Sequence, residues 1–192
     1  MPYIICAIFG YLLGSINASV IYSHFKGRDI RTVGSGNAGA TNTLRTFGKK
    51  AALFVVFIDI LKGVIAVLLA RTFGNTYCAY CAGFAAILGH NFPLYFGFRG
   101  GKGIITSLAV MCMTAPQEAF IALFAAILVI AVTRYVSLGS VLGSLLFGIL
   151  SLIRSQDIYF TVFVVLVVLL AIIRHHSNIS RLIRGTERKL GK

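Results

Sequence analysis

The sequence predicts an all-α, polytopic integral membrane protein with about seven transmembrane helices, and two observations support this fold class. Of the 192 residues, 58% are hydrophobic and only 12% are charged, which leaves too little polar surface for a soluble domain. The apolar residues also gather into seven stretches, several of them near the ~20 residues that a straight helix needs to cross a bilayer. These stretches run roughly over residues 3–22, 51–70, 77–98, 104–114, 119–133, 136–153 and 159–173.

The fourth and fifth stretches are short for a membrane crossing. They contain roughly 11 and 15 residues, against about 20 for a straight span. One of them is therefore expected to be a partial helix that its neighbours support. We expect residues 1–192 to form a single transmembrane domain, because no soluble segment of domain size separates the stretches.

The basic residues predict the orientation in the membrane. Six of the 18 Lys and Arg residues lie between His24 and Lys50, and six more lie between Arg174 and Lys192. The positive-inside rule places both clusters in the cytoplasm, so the number of spans between them is even. Seven spans, with the N-terminus outside and the C-terminus cytoplasmic, meet this condition. Five spans also meet it, but they leave the polar turn 98–103 poorly placed.

The net charge of +13 indicates contact with the lipid bilayer and not with nucleic acid. The cations are divided between two membrane-proximal clusters, and no soluble domain presents them as a continuous basic face. Anionic lipid headgroups therefore account for most of this charge.

The first polar motif, Gly34 to Arg45, reads GSGNAGATNTLR and continues to Lys49. Its glycines allow successive backbone N–H groups to converge, and its hydroxyl and carboxamide side chains add neutral donors. Arg45 adds a forked cation that suits a phosphate or a carboxylate. The motif therefore predicts a site for a small anion.

Two further polar motifs lie on the same predicted face of the membrane. The second, Gly89 to Thr106, reads GHNFPLYFGFRGGKGIIT, with a helix that ends at His90 and Asn91 and is stopped by Pro93. The third, Arg174 to Glu187, reads RHHSNISRLIRGTE. Three cationic motifs on one face predict a shared interfacial pocket for a ligand with one or more phosphates and an acyl chain.

Two smaller features lie within the apolar stretches. Asp59 and Lys62 are three residues apart on one helix, so an ion pair between them would neutralise two costly charges. Ser137, Ser140 and Ser144 share a face with two glycines. Such a face indicates close helix packing, although a hydroxyl can also be contributed to the pocket.

Several familiar patterns do not apply to this chain. Gly34, Gly36 and Gly39 spell GxGxxG, but no strand precedes them and no βαβ unit can be placed. The residues before Lys102 resemble a Walker loop, but Gly103 stands where Ser or Thr would bind magnesium. We expect no metal site and no cofactor, since carboxylates are scarce and the histidines do not share metal-type spacing with the cysteines.

The three motifs, in this order, resemble those of the bacterial membrane glycerol-3-phosphate acyltransferases that use acyl phosphate as donor. The resemblance implies an enzyme of the bacterial inner membrane, multi-pass, with its active site on the cytoplasmic face. It would transfer a fatty acyl group to the 1-position of sn-glycerol 3-phosphate, giving lysophosphatidate and phosphate, in the first acylation of phospholipid synthesis. The implied partners are the two substrates, the lipid bilayer and the enzyme that produces the acyl phosphate.

The resemblance and the polar motifs together nominate the site residues. The candidates for catalysis are His90, His175, Ser35 and Asn178. The candidates for substrate binding are Ser35, Gly36, Asn37, Thr41, Asn42, Arg45, Lys49, His90, Asn91, Gly100, Gly101, Lys102, Gly103, Ser140, His175, Asn178 and Arg181. Asp59, Lys62 and Glu187 are expected to be structural.

The sequence does not identify the general base. An acyl phosphate is already activated, so the enzyme needs to hold two anions, stabilise the tetrahedral intermediate and accept one proton, without a covalent acyl-enzyme. His90, His175, Asp59 and a substrate phosphate are the candidates for the base. The competing functions are transport of a phosphorylated metabolite, binding of a lipid headgroup without catalysis, and acyl transfer from acyl-CoA.

Overall fold

The computed structural model describes residues 1–155 and 157–191, and within these ranges the secondary structure is helical, without strands. The chain divides into two compact units, Met1–Thr114 and Ala115–Lys192. We call them the first and the second unit and describe each by itself. The expectation of an all-α fold is confirmed, and the expectation of a single domain stays a prediction.

The first unit consists of five α-helices and two short 3-10 helices. The α-helices are α1 (Pro2–Gly14), α2 (Ala18–Phe25), α3 (Ala40–Phe73), α4 (Thr76–Asn91) and α5 (Ile104–Thr114), and the 3-10 helices are Ile30–Thr32 and Leu94–Phe96. Glycines bring α1 and α4 close together, since a methyl group on Gly10 would lie 2.2 Å from the Ala82 carbonyl oxygen. Small residues allow this backbone approach, as is common where membrane helices pack.

Two breaks interrupt the helices of the first unit, and the first of them lies inside an apolar stretch that the sequence predicts as continuous. The first apolar stretch is broken between α1 and α2, where the Asn17 side chain accepts a hydrogen bond from the Val20 amide and caps α2. Helix α3 is kinked at Gly48, which has φ +82°, a conformation that favours glycine. The kink separates the polar start of α3 from its apolar continuation.

The second unit consists of α6 (Pro116–Thr133), α7 (Val136–Arg154), α8 (Ile158–Arg174) and α9 (His176–Ile183), and α8 and α9 are bent by 56°. Helices α6 and α7 pack through glycine, because a methyl group on Gly139 would lie 2.7 Å from the Ala126 carbonyl oxygen. Close packing at the predicted small-residue face is therefore confirmed. The Ser140 hydroxyl donates to the Val136 carbonyl of its own helix, at 2.9 Å.

Four segments of the described chain are long and apolar enough to cross a membrane, or five if the bent pair α8 and α9 counts as one. The four are Pro2–Phe25, Ala40–Phe73, Pro116–Thr133 and Val136–Arg154. Helix α5, with 11 residues, is a shorter apolar helix, in line with the expectation of a partial span. Helix α4 ends at Asn91 as predicted, so the apolar residues 92–98 do not extend it.

Candidate active site

Asn42 shapes the first motif. Its amide nitrogen donates to the carbonyl oxygens of Ile30 and Val33, at 3.1 and 3.0 Å, and its Oδ1 accepts from the Ser35 amide at 3.0 Å. A side chain on Gly34 would meet this Oδ1 at 2.2 Å. Asn42 is buried and all its polar groups serve the loop, so its part in any binding is to set the loop's shape.

The first motif changes from loop to helix at Ala40. Gly39 is the N-cap of α3, without a side-chain cap, so the first amides of α3 point out of the helix end next to the loop. Ser35 and Gly36 are exposed in the loop, and Arg45 is half-buried on the helix. The motif thus places hydroxyl, amide and guanidinium donors close to one helix N-terminus, which favours an anion. Thr41 lies on the first turn of α3, Asn37 lies in the loop, and Lys49 is exposed beyond the kink.

The second motif folds its glycines back onto the end of α4. The Gly101 amide donates to the His90 carbonyl at 3.1 Å. A methyl group on Gly100 would lie 2.1 Å from that same carbonyl oxygen, so only glycine allows the approach. We call residues 97–103 the glycine loop. It carries Lys102, which is half-buried.

The first and second motifs meet at Gly101. A methyl group on this residue would lie 2.1 Å from the Nε2 atom of His90 and 2.7 Å from the Ala38 carbonyl oxygen. The same carbonyl accepts from Asn17 at 3.4 Å. Arg31 adds a second link, since it donates to the Phe96 carbonyl at 2.8 Å. The predicted convergence of these two motifs is therefore confirmed.

A buried ionic cluster supports this junction from inside the first unit. The Lys62 Nζ atom lies 2.8 Å from Asp59 Oδ1, 2.8 Å from His90 Nδ1 and 3.0 Å from the Ile16 carbonyl oxygen. The side chains of Asp59 and Lys62 are 2% and 3% exposed, so neither charge can be compensated by water. The predicted ion pair is confirmed, and His90 is its third member.

Asn91 places a buried amide against the glycine loop. It is completely buried, and neither polar atom of its side chain has a hydrogen-bond partner among the described residues. A methyl group on Gly103 would lie 2.6 Å from its Oδ1. Buried polar groups almost always have partners, so this amide is a strong candidate for a functional group.

The third motif forms a network around Glu187 in the second unit. Its Oε1 accepts from the Ser137 hydroxyl at 2.7 Å and from the Asn178 amide, and its Oε2 accepts from the Arg181 Nε at 2.7 Å. Partial burial raises the pKa of Glu187, but these three hydrogen bonds and the Arg181 charge outweigh it, so the pKa is lowered. Glu187 thus positions two of the predicted site residues, as its expected structural role requires.

His175 lies at the bend between α8 and α9 and is 3% exposed. Its Nδ1 atom lies 2.8 Å from the Ala171 carbonyl oxygen. A carbonyl oxygen can only accept, so Nδ1 carries a hydrogen and Nε2 is an acceptor in the neutral ring. The neighbouring His176 is exposed, with its Nδ1 2.9 Å from the Ile173 carbonyl oxygen.

The two motifs of the first unit are held together by residues that are not among the predicted site residues. Ser15 and Asn17 link the break between α1 and α2 to the loops that follow, and the Ser15 hydroxyl accepts from the Leu94 amide at 3.3 Å. Arg31, in the 3-10 helix Ile30–Thr32, links that helix to Phe96. For Ser15 and Asn17, the sequence carries a signal in the polar residues GSINAS inside the first apolar stretch. Polar residues in a membrane segment usually mark a functional or structural site.

The helices and this polar site define the class: a helical integral membrane protein with a glycine-rich polar site at one end of its first unit. Residues 4–185 match the model of the family described as Glycerol-3-phosphate acyltransferase. The chain belongs to this family of enzymes.

Relatives and solved structures agree with this family. The chain is 46% identical to a glycerol-3-phosphate acyltransferase of Thermoanaerobacter sp. (strain X514), over 98% of this chain and 96% of that protein. It is 49% identical to one of Shouchella clausii (strain KSM-K16), over 96% and 94%. A crystal structure of PlsY (YgiH), an integral membrane glycerol 3-phosphate acyltransferase in its glycerol 3-phosphate form, superposes with a TM-score of 0.94. That structure is 36% identical and covers 100% of this chain and 96% of its own.

Proposed function

We propose that the protein transfers a fatty acyl group from acyl phosphate to the 1-position of sn-glycerol 3-phosphate, giving lysophosphatidate and inorganic phosphate. The observation that carries the proposal is the junction at Gly101, where two glycine-rich motifs meet beside Asn91 and His90. Related crystal structures are described as the glycerol 3-phosphate form and the lysophosphatidic acid form of such an enzyme, and the second superposes with a TM-score of 0.91.

The reaction needs positioning more than activation. The 1-hydroxyl oxygen attacks the acyl carbonyl carbon, the bond from that carbon to the phosphate oxygen breaks, and phosphate leaves with the bonding electrons. The hydroxyl proton passes to a base. Because the mixed anhydride is already activated, no covalent acyl-enzyme is needed, and binding two anions in the right geometry supplies much of the rate.

The first unit offers donors for the acyl phosphate. We assign the cradle to the loop from Ser35 to Thr41 and to the glycine loop, with Arg45 and Lys102 as its cations. The uncapped start of α3 adds backbone amides and the positive end of a helix dipole. Asn42 holds the first loop in the shape that this role requires.

In the second unit, the third motif offers donors for the phosphate of glycerol 3-phosphate. We assign this role to Arg181 and Asn178, which Glu187 holds in place. Ser140 on α7, predicted as a binding residue, donates its hydroxyl hydrogen to the Val136 carbonyl and offers no further donor. His175 is the base in this proposal, because its hydrogen bond to Ala171 leaves Nε2 as the proton acceptor. The substrate phosphate is the alternative base.

We further propose seven spans in the bacterial inner membrane, with an outside N-terminus and the active site on the cytoplasmic face. The two basic clusters support this orientation. The enzyme that produces acyl phosphate is then expected as a functional partner on that side. Thiol labelling of single cysteines at each terminus, in intact and in permeabilised cells, tests the orientation; an N-terminus labelled only after permeabilisation contradicts it.

Product formation tests the reaction. Purified protein in detergent receives labelled glycerol 3-phosphate with palmitoyl phosphate in one reaction and with palmitoyl-CoA in another. Lysophosphatidate from palmitoyl phosphate alone is the expected result. Product from palmitoyl-CoA alone contradicts the assignment of acyl phosphate as the donor. Binding of glycerol 3-phosphate without product from either donor favours a headgroup-binding protein or a transporter. The Arg45→Ala variant is the matched inactive control.

A further inference from the structure

The buried cluster around Lys62 determines which nitrogen of His90 carries a hydrogen. Charged Lys62 has three N–H groups, which lie within hydrogen-bond distance of His90 Nδ1 and the Ile16 carbonyl oxygen. The same ammonium forms an ion pair with Asp59 Oδ1. The contacts measure 2.8, 3.0 and 2.8 Å. A charged lysine in this position requires a lone pair on Nδ1. The hydrogen of a neutral His90 ring is then on Nε2.

The alternative tautomer is costly as long as Asp59 is ionised. A hydrogen on Nδ1 would face the hydrogens of a charged Lys62 across 2.8 Å. Asp59 Oδ1 lies farther from Nδ1, at 3.3 Å, and accepts no hydrogen bond of good geometry, so it does not offset this repulsion. If Lys62 were neutral instead, Asp59 would be a buried carboxylate with no opposite charge, which is strongly destabilising. If the proton moved from Lys62 to the imidazole, Nε2 would still carry a hydrogen. Every arrangement in which Asp59 stays ionised and the cluster stays neutral therefore makes Nε2 a donor.

The donor edge of the ring is directed at the glycine loop. His90 is 3% exposed, and its Nε2 atom lies where a Gly101 methyl group would approach to 2.1 Å. The backbone of the same residue holds the loop, since the Gly101 amide donates to the His90 carbonyl. His90 thus contacts the loop through both its main chain and its ring.

We propose that His90 is a positioning residue for the glycine loop and not the general base: Lys62, oriented by Asp59 and the Ile16 carbonyl, keeps a hydrogen on His90 Nε2. A nitrogen that already bears a hydrogen cannot accept the substrate proton, and Nδ1 is turned away from the loop towards Lys62. The cluster is therefore more than a neutralised ion pair, because it selects the tautomer of a ring at the site. The assignment to a loop that binds acyl phosphate rests on the proposed function, whereas the tautomer does not.

The tautomer can be measured without any assay of activity. Full-length protein with ¹⁵N-labelled histidine is purified in detergent, and long-range ¹H–¹⁵N correlation spectra identify the protonated nitrogen of each ring. The four histidines are assigned by single replacement. We expect His90 to be protonated at Nε2, and His175 to be protonated at Nδ1. A His90 ring with its hydrogen on Nδ1 overturns the proposal, whether or not the protein makes lysophosphatidate.

Two replacements of His90 test the role of the Nε2 hydrogen. Glutamine can place an N–H near the position of Nε2, whereas asparagine reaches only the position of Nδ1. We expect His90→Gln to keep kcat/KM within about threefold of the wild type, and His90→Asn to lower it by about tenfold, mostly through the KM for acyl phosphate. His176→Asn is the matched control, because this exposed histidine lies outside the cluster.

The pH profile separates positioning from proton transfer. If His90 only positions the loop, the acidic limb of the kcat profile stays in both variants. Loss of that limb, together with a loss of kcat of about 10²-fold or more in both variants, identifies His90 as the base and overturns the proposal. The double variant Asp59→Asn with Lys62→Met removes both charges and should allow the other tautomer in the spectra. Retention of a pure Nε2–H tautomer in that variant contradicts the role of Lys62.

Discussion

His90 and His175 are the same residue type, both are 3% exposed, and both belong to polar motifs of the predicted site. Their Nδ1 atoms nevertheless face opposite partners. In the first unit, Nδ1 of His90 faces the ammonium of Lys62 at 2.8 Å, and in the second unit, Nδ1 of His175 faces the Ala171 carbonyl oxygen at 2.8 Å. One ring therefore presents a donor at Nε2 and the other presents an acceptor. The partner of Nδ1, more than burial, assigns the chemistry of a histidine.

The largest effect on kcat is expected when His175, the ring with an acceptor at Nε2, is replaced by Asn. Asparagine at this position can keep a hydrogen bond to the Ala171 carbonyl but has no proton acceptor near the position of Nε2. We expect kcat to fall by about 10²- to 10⁴-fold, the range typical of a lost general base. Steady-state kinetics with palmitoyl phosphate measures the change, with His176→Asn as the control. A fall of less than about tenfold would assign the proton to the substrate phosphate.

The next largest effect is expected on stability, when Lys62, the partner of His90 Nδ1, is replaced. Lys62→Met alone leaves Asp59 buried without an opposite charge, so we expect a loss of about 3 to 5 kcal/mol in the free energy of unfolding. The double variant with Asp59→Asn removes the uncompensated charge and should recover most of that loss. Thermal unfolding in detergent measures both variants. Equal destabilisation by the single and the double variant would mean that the charges are not coupled.

Gly101→Ala tests the contact between the glycine loop and the His90 ring. The added methyl group would lie 2.1 Å from His90 Nε2 and 2.7 Å from the Ala38 carbonyl oxygen, and overpacking of this kind costs about 1 to 3 kcal/mol. We expect the KM for acyl phosphate to rise by at least tenfold. Gly97→Ala is the control in the same loop, because nothing lies within 4 Å of the added carbon and only its positive φ is strained. A smaller effect at Gly101 than at Gly97 would contradict the junction.

The smallest effect concerns the Glu187 network, whose bonds also keep Arg181 and Asn178 in place. The pKa of Glu187 is lowered in the folded protein, so its carboxylate stabilises the fold above the ordinary glutamate pKa. This contribution decreases as the pH falls through the lowered pKa. We expect Glu187→Gln to cost about 1 to 2 kcal/mol at pH 7 and almost nothing in strong acid. Unfolding temperatures between pH 3 and pH 8 measure the difference, and a cost that does not change with pH would contradict it.

The sequence predicted local features of the site better than long-range ones. The end of α4 at Asn91 and the ion pair between Asp59 and Lys62 both depend on neighbours within four residues, and the structure confirms both. The break between α1 and α2 at Asn17 is not predicted, because the mean hydropathy of residues 3–22 stays high despite three polar residues among them. The third motif belongs to the second unit, and the expectation that it shares one pocket with the other two stays a prediction.

The sequence alone determined that the chain is a helical membrane protein with three polar motifs, because hydropathy, charge asymmetry and glycine content are properties of the residues themselves. The tertiary structure decided what each histidine can do. Lys62 reaches His90 across 28 positions of the chain, whereas the carbonyl beside His175 lies one turn away on the same helix. A tautomer depends on which atom stands within about 3 Å of a ring nitrogen, and for His90 only the packing of α3 on α4 supplies that atom.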